Sequence, residues 1–330
     1  MRVLITGAAG NLGSLLTRHL LRTPIDLRLT IHKTPLPSDL AAAPGLTVFA
    51  ANLHESRGLA EVCANVDCVV HLAGVLFAPN PHEFLPRTNV GFVRNLLDAA
   101  IAAGVSKFIL VSFPHTEGET TPDNPARERL DRCPEVIHFQ TRLAAERLVM
   151  ERCQQAGVVP VICRAGVVYG RGVKLTEAAL WLLRHRLLAV WRKSTWVHLI
   201  SLPDFLQAVQ LVIESDAALG IYNICDDQPL TFQEFLDKLA LHHGYRRPWR
   251  LPEWCFRFAA MMCERFAALF GTSAPLTGDI LRAGMMSSVA DNSRFKRELL
   301  PVLQYPTLDC GLALFDSPHS RGNPPGRSER

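Results

Sequence analysis

The chain has 330 residues, 48% of them apolar, which is enough to bury a large core in one domain or in two packed lobes. Its 35 basic and 31 acidic residues leave a formal charge of only +4, spread along the sequence. This weak, dispersed charge argues against a nucleic-acid-binding surface. No uncharged apolar run is long enough to cross a bilayer, and Met1 leads into an apolar segment without the basic region of a secretory signal peptide.

The nine cysteines are odd in number and scattered, and no two of them form a C-x-x-C pair. This pattern favours reduced thiols in a cytoplasmic protein, and it predicts neither a disulfide framework nor a metal site. The stretch 317–330 is rich in Ser, Gly, Pro and Arg and is expected to be a disordered tail.

The first half alternates strand and helix patterns, which predicts a Rossmann-type, doubly wound parallel sheet of the α/β class over 1–166. The expected strands are Val3–Thr6, Leu27–His32, Thr47–Ala50, Cys68–Leu72, Phe108–Val111 and Val158–Arg164, and the expected helices include Asn11–Arg22, Phe84–Ala103 and Val136–Ala156. A ligand is expected at the carboxyl edge of such a sheet.

From 167 to 316 the pattern changes to a smaller, mainly helical substrate lobe, some of whose segments are expected to return to the sheet. Its expected helices are Leu175–Trp191, Leu202–Ser215, Thr231–His243 and Pro252–Phe270, with a strand at Ile221–Cys225. Aromatic and Met side chains are frequent here and are interpreted first as the core of the lobe, with an apolar substrate site as the alternative.

A glycine-rich turn, Gly7-x-x-Gly10-x-x-Gly13, follows the first strand and opens a helix. Glycines permit a tight turn and close approach of a pyrophosphate to the helix amino terminus, where Asn11 and Leu12 also lie. The pattern predicts a dinucleotide cradle; a purely structural turn is the alternative.

His32 and Lys33 follow the second strand, where NAD-binding proteins of this kind carry an acidic residue for the adenosine ribose. Lys33 can instead pair with a 2′-phosphate. NADP(H) is therefore favoured over NAD(H), unless Lys33 is simply a solvated loop residue.

Further motifs, in their order and spacing, resemble the extended short-chain dehydrogenase/reductases, the NAD-dependent epimerase/dehydratase group. The resemblance places Asn52-Leu53 beside the adenine, Leu72-Ala73-Gly74 against the cofactor, and Val167 at the nicotinamide end. Matching segments also include Asn89 to Ala100, Arg164 to Gly170, His198 to Asp204 and Gly220 to Ile224.

The resemblance fails at the three catalytic positions, where the family has Ser or Thr, Tyr and Lys. Ser112 falls one place early, so that Phe113 takes the first position, while His138 and Arg142 take the Tyr and Lys positions. The resemblance implies that Arg142 holds the nicotinamide ribose and that a neutral His138 moves the proton. The alternative is an exposed Arg142 paired with Glu146 and an ordinary surface His138; Tyr169 is a second candidate acid.

Two functions stay open. The first is an oxidoreductase or epimerase with a rebuilt proton-transfer site, acting on an unidentified and comparatively apolar small molecule. The second is a catalytically degenerate NADP(H)-binding module with a structural or redox-sensing role toward a partner. Arg246, Arg247 and Arg282 are weak candidates for a substrate phosphate clamp, and a homodimer is compatible with the sequence.

Overall fold

The structure is a computed structural model that describes residues 1–74, 81–270, 272, 274 and 276–316. The expected tail at 317–330 lies outside the described residues. Among the described helices, none combines the length and the apolar character needed to cross a membrane.

The first part of the chain alternates strands and helices as expected. Its strands are β1 (Arg2–Thr6), β2 (Asp26–Ile31), β3 (Leu46–Ala50), β4 (Cys68–His71), β5 (Lys107–Ser112) and β6 (Val159–Ala165). Its helices are α1 (Asn11–Leu20), α2 (Ser38–Ala41), α3 (Leu59–Cys63), α4 (Pro81–Leu85), α5 (Phe92–Ala102) and α6 (Ile137–Ala156), and a π-helical segment, Pro86–Gly91, joins α4 to α5.

The second part consists of helices and short strands. The strands are β7 (Val167–Tyr169), β8 (Ala189–Trp191), β9 (Trp196–Val197), β10 (Leu199–Ser201), β11 (Gly220–Ile224), β12 (Leu230–Thr231) and β13 (Trp249–Leu251). The helices are α7 (Lys174–Arg184), α8 (Leu202–Glu214), α9 (Phe232–His242), α10 (Glu253–Phe270), α11 (Gly278–Met285), α12 (Ser293–Glu298) and α13 (Leu308–Gly311).

Seven strands form one parallel sheet in the order β11-β6-β5-β4-β1-β2-β3. The order reverses between β1 and β4, where β1 is flanked by β2 on one side and β4 on the other. Ligands bind at such a reversal, outside the carboxyl ends of the strands. The predicted doubly wound fold is confirmed.

Lys107 of β5 connects this sheet to the second part of the chain. Its side chain is buried, and the ammonium group donates hydrogen bonds to the carbonyl oxygens of Val212 (3.0 Å), Ile213 (3.2 Å) and Ser215 (2.6 Å) at the carboxyl end of α8. A cation is favourable at that end of a helix because unpaired carbonyl oxygens gather there. This contact and the pairing of β11 with β6 attach the second part of the chain to the sheet.

The predicted lengths of two helices are wrong. The helix expected at Leu175–Trp191 ends at Arg184, and its last three residues form β8, which pairs with β13. The helix expected at Phe84–Ala103 is interrupted by the π-helical segment. The strand expected to reach His32 ends at Ile31.

The interpretation of the second-part aromatics as core is wrong for most of α10. Trp254, Phe258, Met262 and Phe266 are all exposed, although they form a row at four-residue spacing. The buried positions of the helix are instead two alanines, Ala260 and Ala267. Apart from Phe256, which packs against Trp191, the helix therefore presents small residues to the protein and large apolar residues to the solvent.

Candidate cofactor and active site

The glycine turn has the tight geometry that the motif predicts. Gly7 adopts a φ of +79°, and a Cβ there would lie 2.7 Å from the backbone nitrogen of Ala73. A Cβ on Gly13 would lie 2.1 Å from the carbonyl oxygen of Gly7, so the helix could not pack this close to the turn. Gly10 has an ordinary φ of −74°, and among the described atoms its Cβ would meet only the carbonyl oxygen of Gly7, at 3.0 Å.

These contacts show that the three glycines are needed for different reasons. Gly7 and Gly13 are required by the protein's own packing, whereas Gly10 borders open space at the amino terminus of α1. None of the described side chains caps that terminus, so its backbone N–H groups are available to an anion. Leu12 packs against the core beneath the turn.

The side chain of Asn11 has a role that the motif did not indicate. Its amide nitrogen donates to the carbonyl oxygen of Gly172 (2.7 Å), and its oxygen accepts from the backbone N–H of Lys174 (2.9 Å). Asn11 thus fixes the second part of the chain against the start of α1, and only its backbone is left for a dinucleotide.

The residues after β2 are open to solvent. His32 and Lys33 are exposed and make no hydrogen bond or ion pair within the described part of the chain. Arg28, upstream on β2, donates to the carbonyl oxygens of Glu61, Val62 and Ala64 at the end of α3. Arg28 is therefore engaged, and Lys33 is the cation available at this strand end.

The expected adenine-side and fourth-strand residues lie at the same sheet edge. The Leu53 carbonyl oxygen accepts a hydrogen bond from Asn95 (2.9 Å), and the Asn52 side chain bonds to Glu55 (2.8 Å). Leu72, whose backbone N–H donates to the Thr6 carbonyl oxygen (3.1 Å), leads with Ala73 into the exposed Gly74.

Ser112 belongs to a buried ionic network rather than to the candidate active site. Its hydroxyl donates to Glu146, which also accepts from Arg164 (2.6 Å). Arg164 donates in addition to Glu117 (2.6 Å), and all three charged residues are buried. The network fixes β5, β6 and α6 relative to one another. Ser112 is thus committed to this network.

Phe113, His138 and Arg142 come together from two segments. The rings of Phe113 and His138 are stacked, with centroids 5.3 Å apart and planes 16° apart. Arg142 follows His138 by four residues on α6, so that both side chains lie on one face of the helix. Asn89 of the π-helical segment positions α6 by donating to Thr141 Oγ1 (2.9 Å).

Arg142 is buried, and none of its guanidinium nitrogens has a hydrogen-bond or ionic partner among the described residues. Burial lowers its pKa to about 10. The alternative of an exposed Arg142 paired with Glu146 is wrong, because the hydrogen bonds of Glu146 go to Ser112 and Arg164. A buried cation without a partner is costly unless a ligand supplies acceptors.

His138 is held neutral. Burial and the nearby Arg142 charge lower its pKa to about 4. Its Nδ1 atom is buried and has no hydrogen-bond partner in the described part of the chain. The same two causes lower the pKa of His71, at the end of β4, to about 3, and its Nδ1 shares a hydrogen bond with Thr6 Oγ1 (2.7 Å).

His115 is a neighbour that the sequence analysis missed. Its ring lies 5.0 Å from that of Phe139 and 6.0 Å from that of Phe113, and burial together with His138 lowers its pKa to about 4. Its position two residues after Phe113, in the turn following β5, was the available signal. The four rings of Phe113, His115, His138 and Phe139 make this wall of the site aromatic.

Tyr169 is not placed to act as an acid. It is fully buried, stacks on Phe315 (5.8 Å between centroids) and donates to the Thr307 carbonyl oxygen (3.4 Å). Burial raises its pKa. Val167 begins β7 just after β6, with its backbone N–H donating to the His198 carbonyl oxygen (2.8 Å).

A model of the NAD dependent epimerase/dehydratase family matches residues 3–225, which is more than half of the chain. The chain belongs to this family. Curated relatives include the 3 beta-hydroxysteroid dehydrogenase/Delta 5-->4-isomerase of Mycobacterium tuberculosis (28% identical, covering 83% of this chain and 78% of the relative). The UDP-glucose 4-epimerase of Vibrio cholerae is 25% identical, covering 82% and 83% respectively.

Solved structures of low sequence identity share the fold. The dTDP-glucose 4,6-dehydratase DesIV of Streptomyces venezuelae, with NAD and TYD bound, superposes with a TM-score of 0.76 at 20% identity and covers 95% of both chains. The UDP-glucuronic acid 4-epimerase of Bacillus cereus, in complex with NAD, gives a TM-score of 0.75 at 19% identity, covering 95% of this chain and 97% of that one.

Proposed function

We propose that the protein is a nicotinamide-dinucleotide-dependent oxidoreductase of the epimerase/dehydratase type, with NADP(H) preferred and an apolar hydroxyl or carbonyl compound as substrate. The observation that carries the proposal is the buried Arg142 guanidinium, unpartnered among the described residues and adjacent to His138. Together with burial, its charge lowers the pKa of His71, which ends β4 at the carboxyl edge of the sheet, next to the strand that leads into the glycine turn.

The residues present fit the cofactor. The uncapped amino terminus of α1 behind Gly10 offers N–H donors to a pyrophosphate, and Arg142 offers donors to ribose hydroxyls. Lys33 offers a cation to a 2′-phosphate. When bound, the nicotinamide supplies hydride acceptance or donation.

His138 then has the role of placing the substrate oxygen. A neutral imidazole can donate a hydrogen bond to a carbonyl oxygen or accept the proton of a hydroxyl, and the low pKa keeps it neutral at physiological pH. Phe113 has no hydrogen-bonding group, so it contributes a packing surface that fixes the imidazole ring.

An apolar substrate is favoured by the aromatic wall of Phe113, His115, His138 and Phe139, in which burial keeps both histidines neutral. The named activities of the relatives include hydroxysteroid oxidation as well as sugar-nucleotide epimerisation. The candidate phosphate clamp of Arg246 and Arg247 borders a different pocket, with Arg186 and Trp249.

The experiment is a screen of the purified protein with NADP⁺ and NAD⁺ against 3-hydroxysteroids, simpler apolar secondary alcohols and UDP-sugars. Reduced nicotinamide is followed by absorbance and epimerisation by chromatography. Turnover of an apolar alcohol that is lost in His138→Ala supports the proposal. Tight dinucleotide binding without turnover of any class favours the degenerate binding module.

A further inference from the structure

The solvent-facing side of α10 carries a continuous apolar row. Trp254, Phe258, Met262 and Phe266 follow one another at four-residue spacing, and Leu269 extends the row. Trp254 is 68% exposed and Leu269 is 79% exposed, while Ala260, on the opposite side, is 1% exposed. A surface helix ordinarily has the reverse pattern, with its large apolar residues facing the core. This row, hereafter the apolar row, marks an interaction surface.

An arginine-lined pocket precedes the apolar row in sequence. It has a volume of about 320 Å³ and is lined by Leu183, Arg186, Leu188, Arg246, Arg247, Pro248, Trp249 and Arg250. Arg186, Arg246 and Arg247 have no ionic partner in the described part of the chain, and Arg250 Nη1 is buried without a hydrogen-bond partner, although its Nη2 pairs with Asp237 (2.7 Å). A buried, unsatisfied guanidinium nitrogen in a basic pocket indicates a site for an anion.

The two features adjoin each other along the chain. The pocket residue Trp249 begins β13, the exposed Leu251 ends it, and α10 starts two residues later. Charges along this stretch are mainly basic. Its acidic residues are engaged, because Glu253 pairs with Arg257 (3.3 Å) and Glu264 accepts from the Gly278 backbone N–H (2.8 Å).

We propose that this face docks on an anionic phospholipid bilayer, with α10 lying in the interfacial plane. The apolar row enters the acyl boundary and the pocket binds a headgroup phosphate. Aromatic and aliphatic side chains beside arginines suit this mode, since the rings bury at the headgroup level while the arginines pair with phosphates. A second copy of this chain fits less well, because in an isologous contact the partner would offer the same mainly basic stretch and no anion for the pocket.

Cosedimentation with unilamellar vesicles tests the proposal. The full chain is expected to bind vesicles of equal parts phosphatidylglycerol and phosphatidylcholine, and to bind pure phosphatidylcholine far more weakly. Binding to the anionic vesicles is expected to fall roughly 30-fold in Arg246→Ser/Arg247→Ser, since each arginine near a charged surface contributes a several-fold effect. Trp254→Ser/Phe258→Ser is expected to lose binding to both vesicle types.

A matched control replaces two exposed apolar residues elsewhere, Val48→Ser/Val302→Ser, and is expected to bind vesicles like the parent. The shift in melting temperature on adding dinucleotide reports folding without an activity assay. Every variant should show the same shift as the parent. Quenching of tryptophan fluorescence by bromine-labelled acyl chains should weaken in Trp254→Phe.

Four results would overturn the proposal. The first is no vesicle binding by the parent chain. The second is binding that the variants leave unchanged, and the third is a dimer that Trp254→Ser/Phe258→Ser converts to monomer without any vesicle binding. Inorganic phosphate that stabilises the pocket while vesicles fail to bind would assign the pocket to a free anion and reject the membrane.

Discussion

The imidazole ring of His138 lies against the phenyl ring of Phe113, with 5.3 Å between the centroids and 16° between the planes. The stack fixes the ring without using either nitrogen as a hydrogen-bonding group. His138 is therefore oriented by packing, whereas Arg142, one helical turn further on, is buried with no partner among the described residues. The two residues should respond differently to substitution.

Arg142→Met should weaken dinucleotide binding by about 1.5–3 kcal/mol, the usual worth of a hydrogen bond to a charged group. The unliganded protein should remain at least as stable, because the variant removes a buried charge that the described residues do not pair. Calorimetric titration and thermal denaturation measure the two effects. Arg147→Met, on the exposed side of the same helix, is the control for dinucleotide binding. Unchanged affinity in Arg142→Met would contradict the ribose-binding role.

His138→Gln should leave dinucleotide affinity nearly intact and lower turnover roughly 100-fold, the scale expected for a proton-transfer group. The pKa of His138 is lowered to about 4, so the imidazole becomes protonated only near that pH. The rate of alcohol oxidation should therefore stay constant with falling pH until the pH approaches 4. In Arg142→Met this acid limb should move to higher pH, because a nearby positive charge is gone. A rate profile against pH measures both; an acid limb near 6.5 in the parent would be incompatible with the assignment.

Lys33→Ala should weaken NADPH binding by about tenfold and leave NADH binding unchanged, because only NADPH carries the phosphate that the lysine would pair with. Lys193→Ala, an exposed lysine in the second part of the chain, provides the control. Equal losses for both cofactors would mean that Lys33 acts elsewhere, and tighter binding of NADH by the parent protein would reverse the proposed preference.

Gly10→Val should fold and lose dinucleotide binding, since its Cβ meets a single atom of the described residues and its branches would occupy the cradle. Gly13→Ala should instead fail to fold stably, because its Cβ would lie 2.1 Å from the Gly7 carbonyl oxygen. Circular dichroism and dinucleotide-dependent thermal shifts separate the two outcomes. A folded Gly10→Val that NADPH still stabilises would show that the cradle lies elsewhere.

His71→Asn should flatten the acid side of the stability curve. The pKa of His71 is about 3 in the folded protein and 6.5 as the reference value, so the unfolded chain binds the proton more readily. The contribution of His71 to the free energy of unfolding is therefore complete above about pH 6.5. Below that pH it falls by about 1.4 kcal/mol per pH unit. Urea denaturation at several pH values measures the slope, and an equal slope in parent and variant would contradict the buried neutral state.

The sheet was predictable because each of its inner strands is a short apolar run followed by a turn or helix signal, and because Gly7, Gly10 and Gly13 mark the first turn. The register that aligned Phe113 with His138 needed a family pattern as well as local chemistry. The burial of Arg142 could not be predicted from nearby residues, because an Arg–Glu pair at four-residue spacing is typical of an exposed helix face. In the structure Glu146 instead pairs with Arg164, which is distant in sequence. The periodicity of α10 likewise defines a row but not the side that faces the protein.

The attachment of Lys107 to the end of α8, together with β11 beside β6, has a consequence for biosynthesis. While the chain emerges from the ribosome, β6 is complete well before β11, and the Lys107 ammonium has no carbonyl oxygens to bind until α8 has formed. A nascent chain ending near residue 166 thus carries an unpaired strand edge, which favours association over independent folding. The sheet can gain its last strand, β11, only after more than two hundred residues have been translated.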